Sequence, residues 1–188
     1  SGQQLVVSVP LEGRVLSAAV WRADVGRVPL LLMDTDIENN DPDLRGVTDR
    51  MYGGAGNDDM VGSIGADTLL GEADNDELAG RAGNDSLDGG DGNDSLYGDG
   101  GADTMWGGDG ADRLDAGGGD NGVGDVMDGG AGNDTVYGTS GGDLIGGNFD
   151  ADVIYGNDGN DSIYAMTSTS ELGSTVGDTL YGGTGSDL

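Results

Sequence analysis

The sequence predicts an all-β fold in which short strands and tight turns wind into two stacked parallel sheets. Three observations predict it: a nine-residue repeat, an aspartate at its sixth position and an aliphatic residue at its eighth. The repeat is clearest in residues 80–97, where GRAGNDSLD is followed by GGDGNDSLY. Repetition at a short fixed period indicates a solenoid, so it decides the architecture before any single residue does.

The repeat runs from residue 53 to residue 188 with two interruptions. The unit at residues 116–128 is four residues too long, and residues 165–172 form an insertion without glycine. The sixth-position residues are Asp58, Asp67, Asp76, Asp85, Asp94, Asp103, Asp112, Asp125, Asp134, Asp143, Asp152, Asp161, Asp178 and Asp187. The eighth-position residues are Met60, Leu69, Leu78, Leu87, Leu96, Met105, Leu114, Met127, Val136, Ile145, Ile154, Ile163 and Leu180, with Leu188 displaced by one position.

Each unit divides into a turn and a strand. Glycine predominates at positions 1, 2 and 4, where it allows positive φ and a tight turn. The extended residues that follow point one side chain, at position 8, into the interior. Two units then make one coil of 18 residues with a strand on each face, and stacked coils are expected about 4.8 Å apart.

Residues 1–52 have no such period, and we predict that they form a small β cap on the array at residues 53–188. Residues 5–9 are a short β-branched run. Residues 14–22 and 27–33 are predicted to form a hairpin with Gly26 in its turn, and Pro29 restricts the second strand to a sheet edge. Residues 34–49 are expected to form a loop or one short helix.

The composition indicates a site for a hard cation. The chain has a net charge of -29 with neither His nor Cys, which argues against zinc and copper sites and against binding to nucleic acid or anionic membranes. Its longest apolar run, residues 28–33, is too short to span a bilayer. Carboxylate and carbonyl oxygens are the ligands of Ca²⁺. The alternative, a disordered acidic linker, does not explain the regular eighth position.

Residues 53–188 resemble the RTX (repeats-in-toxin) family through the repeated G-x-x-G-x-D pattern and its aliphatic eighth position. The resemblance implies a right-handed parallel β-roll that binds several Ca²⁺ ions between successive turns. It also implies a ligand set: the aspartate and the carbonyls of positions 2 and 4 from one turn, and the aspartate and the carbonyls of positions 1 and 3 from the turn 18 residues later.

Carried over to this sequence, the family's ligand pattern selects the fourteen aspartates above and a set of backbone carbonyls. The carbonyls belong to Gly54, Gly56, Gly65, Gly71, Ala73, Gly80, Arg81, Ala82, Gly83, Gly90, Gly92, Gly98, Gly100, Gly107, Asp109, Thr139, Gly141, Gly156, Asn157, Asp158, Gly159, Gly182 and Thr184. The sequence departs from the pattern at position 4, where Asp74, Asp150 and Val176 replace glycine.

Residues 20–54 carry a second resemblance, through the runs GRVPLLLMDTDI and TDRMYGG. They are similar to a fragment of the N-terminal domain of α-glucan phosphorylases. The family's chemistry needs pyridoxal phosphate on a lysine, and every basic residue of this chain is Arg. The sequence also has no His, and therefore no H-E-x-x-H motif, so we expect no enzyme activity.

The RTX resemblance implies a calcium-dependent folding module of a secreted bacterial protein, exported unfolded by type I secretion machinery. An extracellular adhesin or matrix scaffold rod is the alternative, and a non-catalytic fragment fused from a glucan phosphorylase is a third reading. We expect a monomer, with self-association as the alternative. Aromatic residues at position 9 are expected to form an outward-facing stripe that serves surface packing: Tyr97, Trp106, Tyr137, Tyr155, Tyr164 and Tyr181.

Overall fold

The computed structural model describes residues 5–11, 14–20, 31–33, 48–118, 122–164 and 177–188. These ranges contain strands and turns and no helix. The strands are β1 (Leu5–Leu11), β2 (Arg14–Val20), β3 (Leu31–Met33), β4 (Arg50–Ala55), β5 (Asp59–Val61), β6 (Thr68–Ala73), β7 (Glu77–Ala82), β8 (Ser86–Asp91), β9 (Ser95–Gly100), β10 (Thr104–Asp109), β11 (Arg113–Asp115), β12 (Val126–Ala131), β13 (Thr135–Tyr137), β14 (Leu144–Phe149), β15 (Val153–Tyr155), β16 (Ser162–Tyr164) and β17 (Thr179–Tyr181).

Strands of the repeat alternate between two parallel sheets. One sheet has the order β16-β14-β12-β10-β8-β6-β4, and the other has the order β17-β15-β13-β11-β9-β7-β5-β3. Each strand therefore pairs with the strand two units away, which places Leu69 beside Leu87 and Leu87 beside Met105. This register gives 18 residues per coil, and the predicted parallel β-roll is confirmed.

The eighth-position side chains fill the space between the two sheets. Successive side chains of a strand point to opposite faces, so position 8 faces inward while positions 7 and 9 face outward. The residues from Met60 to Ile154 at this position are buried, with Ala116 beside them. Leu180 and Leu188 differ from the prediction, since they are 45% and 92% exposed. Leu180 lies in β17 at the end of its sheet, where no further described strand covers it.

The parallel sheet register continues on both sides of each interruption of the repeat. Across residues 116–128, β10 pairs with β12 and Thr104 lies beside Val126, so this coil takes 22 residues in place of 18. Across the insertion, β15 pairs with β17 and Val153 lies beside Thr179, a separation of 26. The predicted return to the repeat frame after each interruption is confirmed. Residues 119–121 and 165–176 lie outside the described residues.

The predicted hairpin of residues 14–22 and 27–33 is wrong. The structure pairs β1 with β2 in an antiparallel hairpin, Leu5 beside Val20 and Leu11 beside Arg14. Strand β3 instead pairs in parallel with β5 at the edge of the eight-stranded sheet. An edge strand leaves the backbone N–H and C=O groups on one side unpaired, and the three residues of β3 pair with that side of β5. Gly26, Pro29 and residues 34–47 lie outside the described part of the chain.

The parallel sheets begin before residue 53. Strand β4 includes residues 50–52, which pair with Thr68, Leu69 and Leu70 of β6, and Met51 packs against the core. The strand therefore crosses the predicted division between residues 52 and 53. That division into two domains stays a prediction.

Position 9 forms two rows of outward-facing side chains and not the single stripe that we predicted. Its residues alternate between the sheets, so Tyr97 and Tyr155 lie on one sheet while Trp106 and Tyr164 lie on the other. This follows from the two-sheet coil, because successive units contribute to opposite faces.

Truncation of one eighth-position residue tests the core. Leu87→Ala removes a fully buried side chain and is expected to destabilise the calcium-loaded protein by about 2–5 kcal/mol, because the sheets cannot close around the cavity. The matched control is Leu144→Ala, whose side chain is 43% exposed, with an expected change within about 0.5 kcal/mol. Chemical denaturation in saturating calcium measures both. Equal losses would contradict this account of the core.

Candidate metal centre

The sixth-position aspartates connect the coils through a repeated hydrogen bond. In each pair, the backbone N–H of one aspartate donates to Oδ1 of the aspartate one coil later, as Asp76 does to Asp94 at 2.8 Å. Two rows result, one on each edge of the roll. The first row is Asp58, Asp76, Asp94, Asp112, Asp134, Asp152 and Asp178. The second row is Asp49, Asp67, Asp85, Asp103, Asp125, Asp143, Asp161 and Asp187.

The other carboxylate oxygen, Oδ2, has no hydrogen-bond partner in most of these turns. The atom is buried and unpartnered at Asp76, Asp85, Asp94, Asp112, Asp134, Asp152, Asp161 and Asp178. Buried polar atoms almost always have a partner, and an ionised oxygen without one carries a large desolvation penalty. Both edges of the roll therefore contain unsatisfied negative oxygen.

The first-position glycines keep these oxygens next to backbone carbonyls. A Cβ on Gly53 would lie 2.6 Å from Asp58 Oδ2 and 2.8 Å from the Gly71 carbonyl oxygen of the next coil. The same two kinds of oxygen meet at Gly89, between Asp94 and the carbonyl of Gly107. The aspartate of one turn and the position-1 carbonyl of the next thus converge, as the family's ligand pattern implies. A cradle of carboxylate and carbonyl oxygens fits Ca²⁺.

Positive φ angles at positions 2 and 4 shape the turns. In the turn at residues 89–94, Gly90 has φ 104° and Gly92 has φ 153°. Non-glycine residues at both positions also have positive φ, between 68° and 81°: Glu72, Arg81, Asp99, Asn148 and Asn157 at position 2, and Asp74 and Asp150 at position 4. Asp and Asn tolerate positive φ better than most residues. The third departure, Val176, lies outside the described residues.

Two turns of the second row have a different conformation. Neither Ser63 nor Thr139, at position 2, has positive φ, and neither do Gly65 and Gly141 at position 4. Here the position-2 backbone N–H donates to Oδ2 of its own turn's aspartate, at 2.7 Å from Ser63 to Asp67 and 2.7 Å from Thr139 to Asp143. These two aspartates are therefore satisfied by the chain itself.

Burial raises the pKa of the row carboxyls. The pKa of Asp76 and of Asp134 rises to about 7, and that of Asp85 and of Asp112 to about 6, from an ordinary 3.8. In each case desolvation is the largest cause, the backbone hydrogen bond from the preceding coil opposes it, and negative neighbours in the row add to it. The ionised form of these carboxyls is therefore destabilised in the folded chain.

The structure brings the predicted aspartates and turn residues together on the two edges and adds one aspartate that sequence reasoning missed. Asp49 occupies the second row, and its N–H donates to Asp67 Oδ1 at 2.8 Å. Its signal is the spacing: Asp49 and Met51 stand nine residues before Asp58 and Met60. Within the described ranges, no three acidic side chains gather into a single cluster. The ligand role of each predicted residue stays a prediction.

Comparison with known families gives one match that covers most of the chain. The RTX calcium-binding nonapeptide repeat (4 copies) matches residues 52–87, 70–105, 88–123, 124–145, 137–166 and 172–188. The chain belongs to this family. RTX repeats form a non-catalytic, calcium-binding kind of module that is typical of secreted bacterial proteins, and the predicted membership is confirmed. No solved structure matches the chain.

The second predicted resemblance is also confirmed, as a short partial similarity. The chain is 56% identical over 55 residues to the glycogen phosphorylase of Mycobacterium tuberculosis (strain CDC 1551 / Oshkosh), which is 29% of this chain and 6% of that protein. It is 43% identical over 51 residues to the maltodextrin phosphorylase of Thermococcus litoralis, 27% of this chain and 6% of that protein. The chain thus covers about 6% of the length of these curated relatives.

Within the part of the RTX chain that the structure describes, no helical segment has the length and apolar character needed to cross a bilayer.

The raised pKa values predict a pH dependence for the cation-free protein. Carboxyls with raised pKa bind more protons in the folded state, so their stabilising contribution is present below 3.8 and is lost as pH rises through about 6 to about 7. In chelator, the free energy of unfolding should fall between about pH 5 and about pH 8 by at least the roughly 1.4 kcal/mol of one pKa unit. Far-ultraviolet circular dichroism in chelator measures it, as a folded fraction that grows when the pH falls from about 8 to about 5. Stability that rises with pH in chelator would contradict these pKa shifts.

Proposed function

We propose that the repeat is a calcium-dependent folding and stabilising module of a secreted bacterial protein. The observation that carries the proposal is the set of buried aspartate Oδ2 atoms without a hydrogen-bond partner on both edges of the roll. Stacking these coils brings negative oxygens together, and the net charge of -29 opposes closure. Bound calcium supplies positive charge and accepts carboxylate and carbonyl oxygens as ligands. Its binding free energy then becomes folding free energy.

The chain's own residues set the conditions for this coupling. The aspartate Oδ1 atoms hold the register, while the Oδ2 atoms and the position-1 carbonyls face a common cradle. Extracellular calcium modules bind with dissociation constants of roughly 10⁻⁴ to 10⁻³ M, well above cytosolic calcium. The module therefore stays unfolded in the cytosol and folds outside the cell. An unfolded chain is what a type I secretion system requires, and export by this route is part of the proposal.

A calcium titration tests the proposal directly. Far-ultraviolet circular dichroism of the chain in chelator is expected to show an unfolded signal, and a β-sheet signal should grow as calcium rises to about 10 mM. Magnesium at the same concentration is the control for general charge screening. A β-sheet signal that is already complete in chelator would contradict the proposal.

A substitution that removes one charge but keeps the side-chain shape isolates the role of Oδ2 in the first row. Asp94→Asn keeps an oxygen for the hydrogen bond from Asp76 but replaces Oδ2 with an amide, so the calcium concentration at half-folding should rise about tenfold. The matched control, Asp59→Asn, removes the same charge from an exposed position and should leave the midpoint nearly unchanged. Equal shifts for the two variants would attribute the effect to net charge alone.

A scaffold or interaction rod is the second candidate, and the outward face of the eight-stranded sheet favours it. Tyr137, Tyr155 and Tyr181 stack with centroid distances of 5.1 and 4.7 Å and nearly parallel rings. Arg113 lies 4.5 Å from the Tyr137 ring centroid. Such a row is a rigid surface that another protein or a second copy could contact. Sedimentation velocity in saturating calcium distinguishes the two, because a folding module alone stays monomeric.

A further inference from the structure

The two edges of the roll differ in how their aspartates are satisfied. In the first row, the Oδ2 atoms of Asp76, Asp94, Asp112, Asp134, Asp152 and Asp178 are all buried without a hydrogen-bond partner. The second row contains two aspartates, Asp67 and Asp143, whose Oδ2 atoms accept a backbone hydrogen bond from their own turn. From Asp76 to Asp178 the first edge is thus uniform, whereas the second is interrupted at Asp67 and Asp143.

Each interruption is built around a buried hydroxyl residue at position 2. The Ser63 hydroxyl accepts a hydrogen bond from the Gly65 N–H at 3.3 Å and lies 3.3 Å from Asp67 Oδ2. The Thr139 hydroxyl accepts from the Gly141 N–H at 3.2 Å and lies 3.3 Å from Oδ2 of Asp125, one coil earlier. Ser63 and Thr139 are 2% and 6% exposed. Short hydroxyl-to-backbone bonds of this kind compete with the conformation that a neighbouring turn adopts.

The hydroxyl turns also lose the backbone geometry of the other turns. Positions 2 and 4 have positive φ in the other described regular turns, and the carbonyl directions depend on it. At Ser63 and Thr139 the position-2 N–H points to Oδ2 instead, which places a proton donor where turns such as those of Asp76, Asp85 and Asp94 present an unpartnered oxygen. An N–H donor aimed at the carboxylate repels a cation. It also supplies the hydrogen bond that Oδ2 would otherwise lack, so this oxygen needs no bound ion.

We propose that the turns at residues 62–67 and 138–143 take no cation and are closed by the chain's own amide and hydroxyl groups. This inference rests on the proposed calcium function and sharpens it, because it assigns calcium to the uniform first edge and to the remaining turns of the second. It also removes from the predicted ligand set the carbonyls of Gly65, Thr139 and Gly141, together with the carbonyls that would complete the same two sites from the next coil, those of Gly80, Ala82, Gly156 and Asp158. Ser63 and Thr139 act as specificity-determining residues that exclude the ion.

The substitutions Ser63→Gly and Thr139→Gly, made together, test the proposal. They restore the G-G-x-G-x-D pattern of the turn at residues 89–94, in which position 2 adopts positive φ. Equilibrium dialysis with radioactive calcium should show about two more bound ions per chain than the unaltered protein, one for each restored turn. The control, Ser86→Ala with Thr104→Ala, removes two half-buried hydroxyls from strands and should leave the number unchanged.

A second measurement uses the unaltered chain and does not depend on how the variant folds. Anomalous diffraction from crystals of the calcium-loaded chain should show ions beside Asp76, Asp94 and Asp134, and none held by the turns at residues 62–67 and 138–143. Ions in those two turns, or an unchanged ion count in a folded double variant, would overturn this inference alone. An unaltered chain that binds no calcium would overturn the proposed function together with it.

Discussion

The hydrogen bond from one aspartate's backbone N–H to the Oδ1 of the aspartate one coil later is the contact on which this roll depends. It recurs along both edges, at 2.8 Å from Asp67 and 2.9 Å from Asp134, and lengthens to 3.3 Å at the last pair of the second row, from Asp161. The position-7 amide of the next coil adds a second bond to the aspartate carbonyl, as Ser86 N–H does to Asp67. Together they fix the coil register with little help from a core that has one aliphatic residue per unit.

That contact buries charge as a direct consequence. A side chain that reaches the backbone of the preceding coil must lie inside the edge, so its second oxygen is removed from water as well. The raised pKa values of Asp76 and Asp134 show that this burial destabilises their ionised form. The glycine content follows from the same contact, because a Cβ at position 1, as on Gly53, would occupy the space of the carboxylate. Aspartate at position 6 and glycine at position 1 therefore depend on each other.

The repeat made most of the fold predictable, and its absence explains the errors. A strict period specifies which residues stack, so the coil length, both sheets and the burial of residues such as Leu87 could be derived from spacing alone. Residues 1–52 contain short apolar runs without a period, and such runs can pair in several ways. The sequence therefore could not show which of these runs pair with each other in an antiparallel hairpin. Asp49 escaped prediction because the residues before it lack the glycine pattern, although its own spacing fits.

The sequence predicted which residue types form the site, but it did not predict which turns depart from the common arrangement. Position 2 accepts glycine, Glu72, Arg81 or Asn148 with positive φ, so a serine there gives no signal by itself. Only the hydrogen bonds of Ser63 and Thr139 separate their turns from the rest.

The difference between the edges has an energetic consequence for how the roll closes. Along the first edge, each added coil brings another unpartnered carboxylate oxygen next to the previous one, so the repulsion grows with length until cations compensate it. Along the second edge, the turns of Asp67 and Asp143 add no unpartnered Oδ2. At these two turns, chain closure needs no external charge. Because a region's local stability follows its own contacts, we expect these two turns to order at lower calcium concentration than the turns of the first edge.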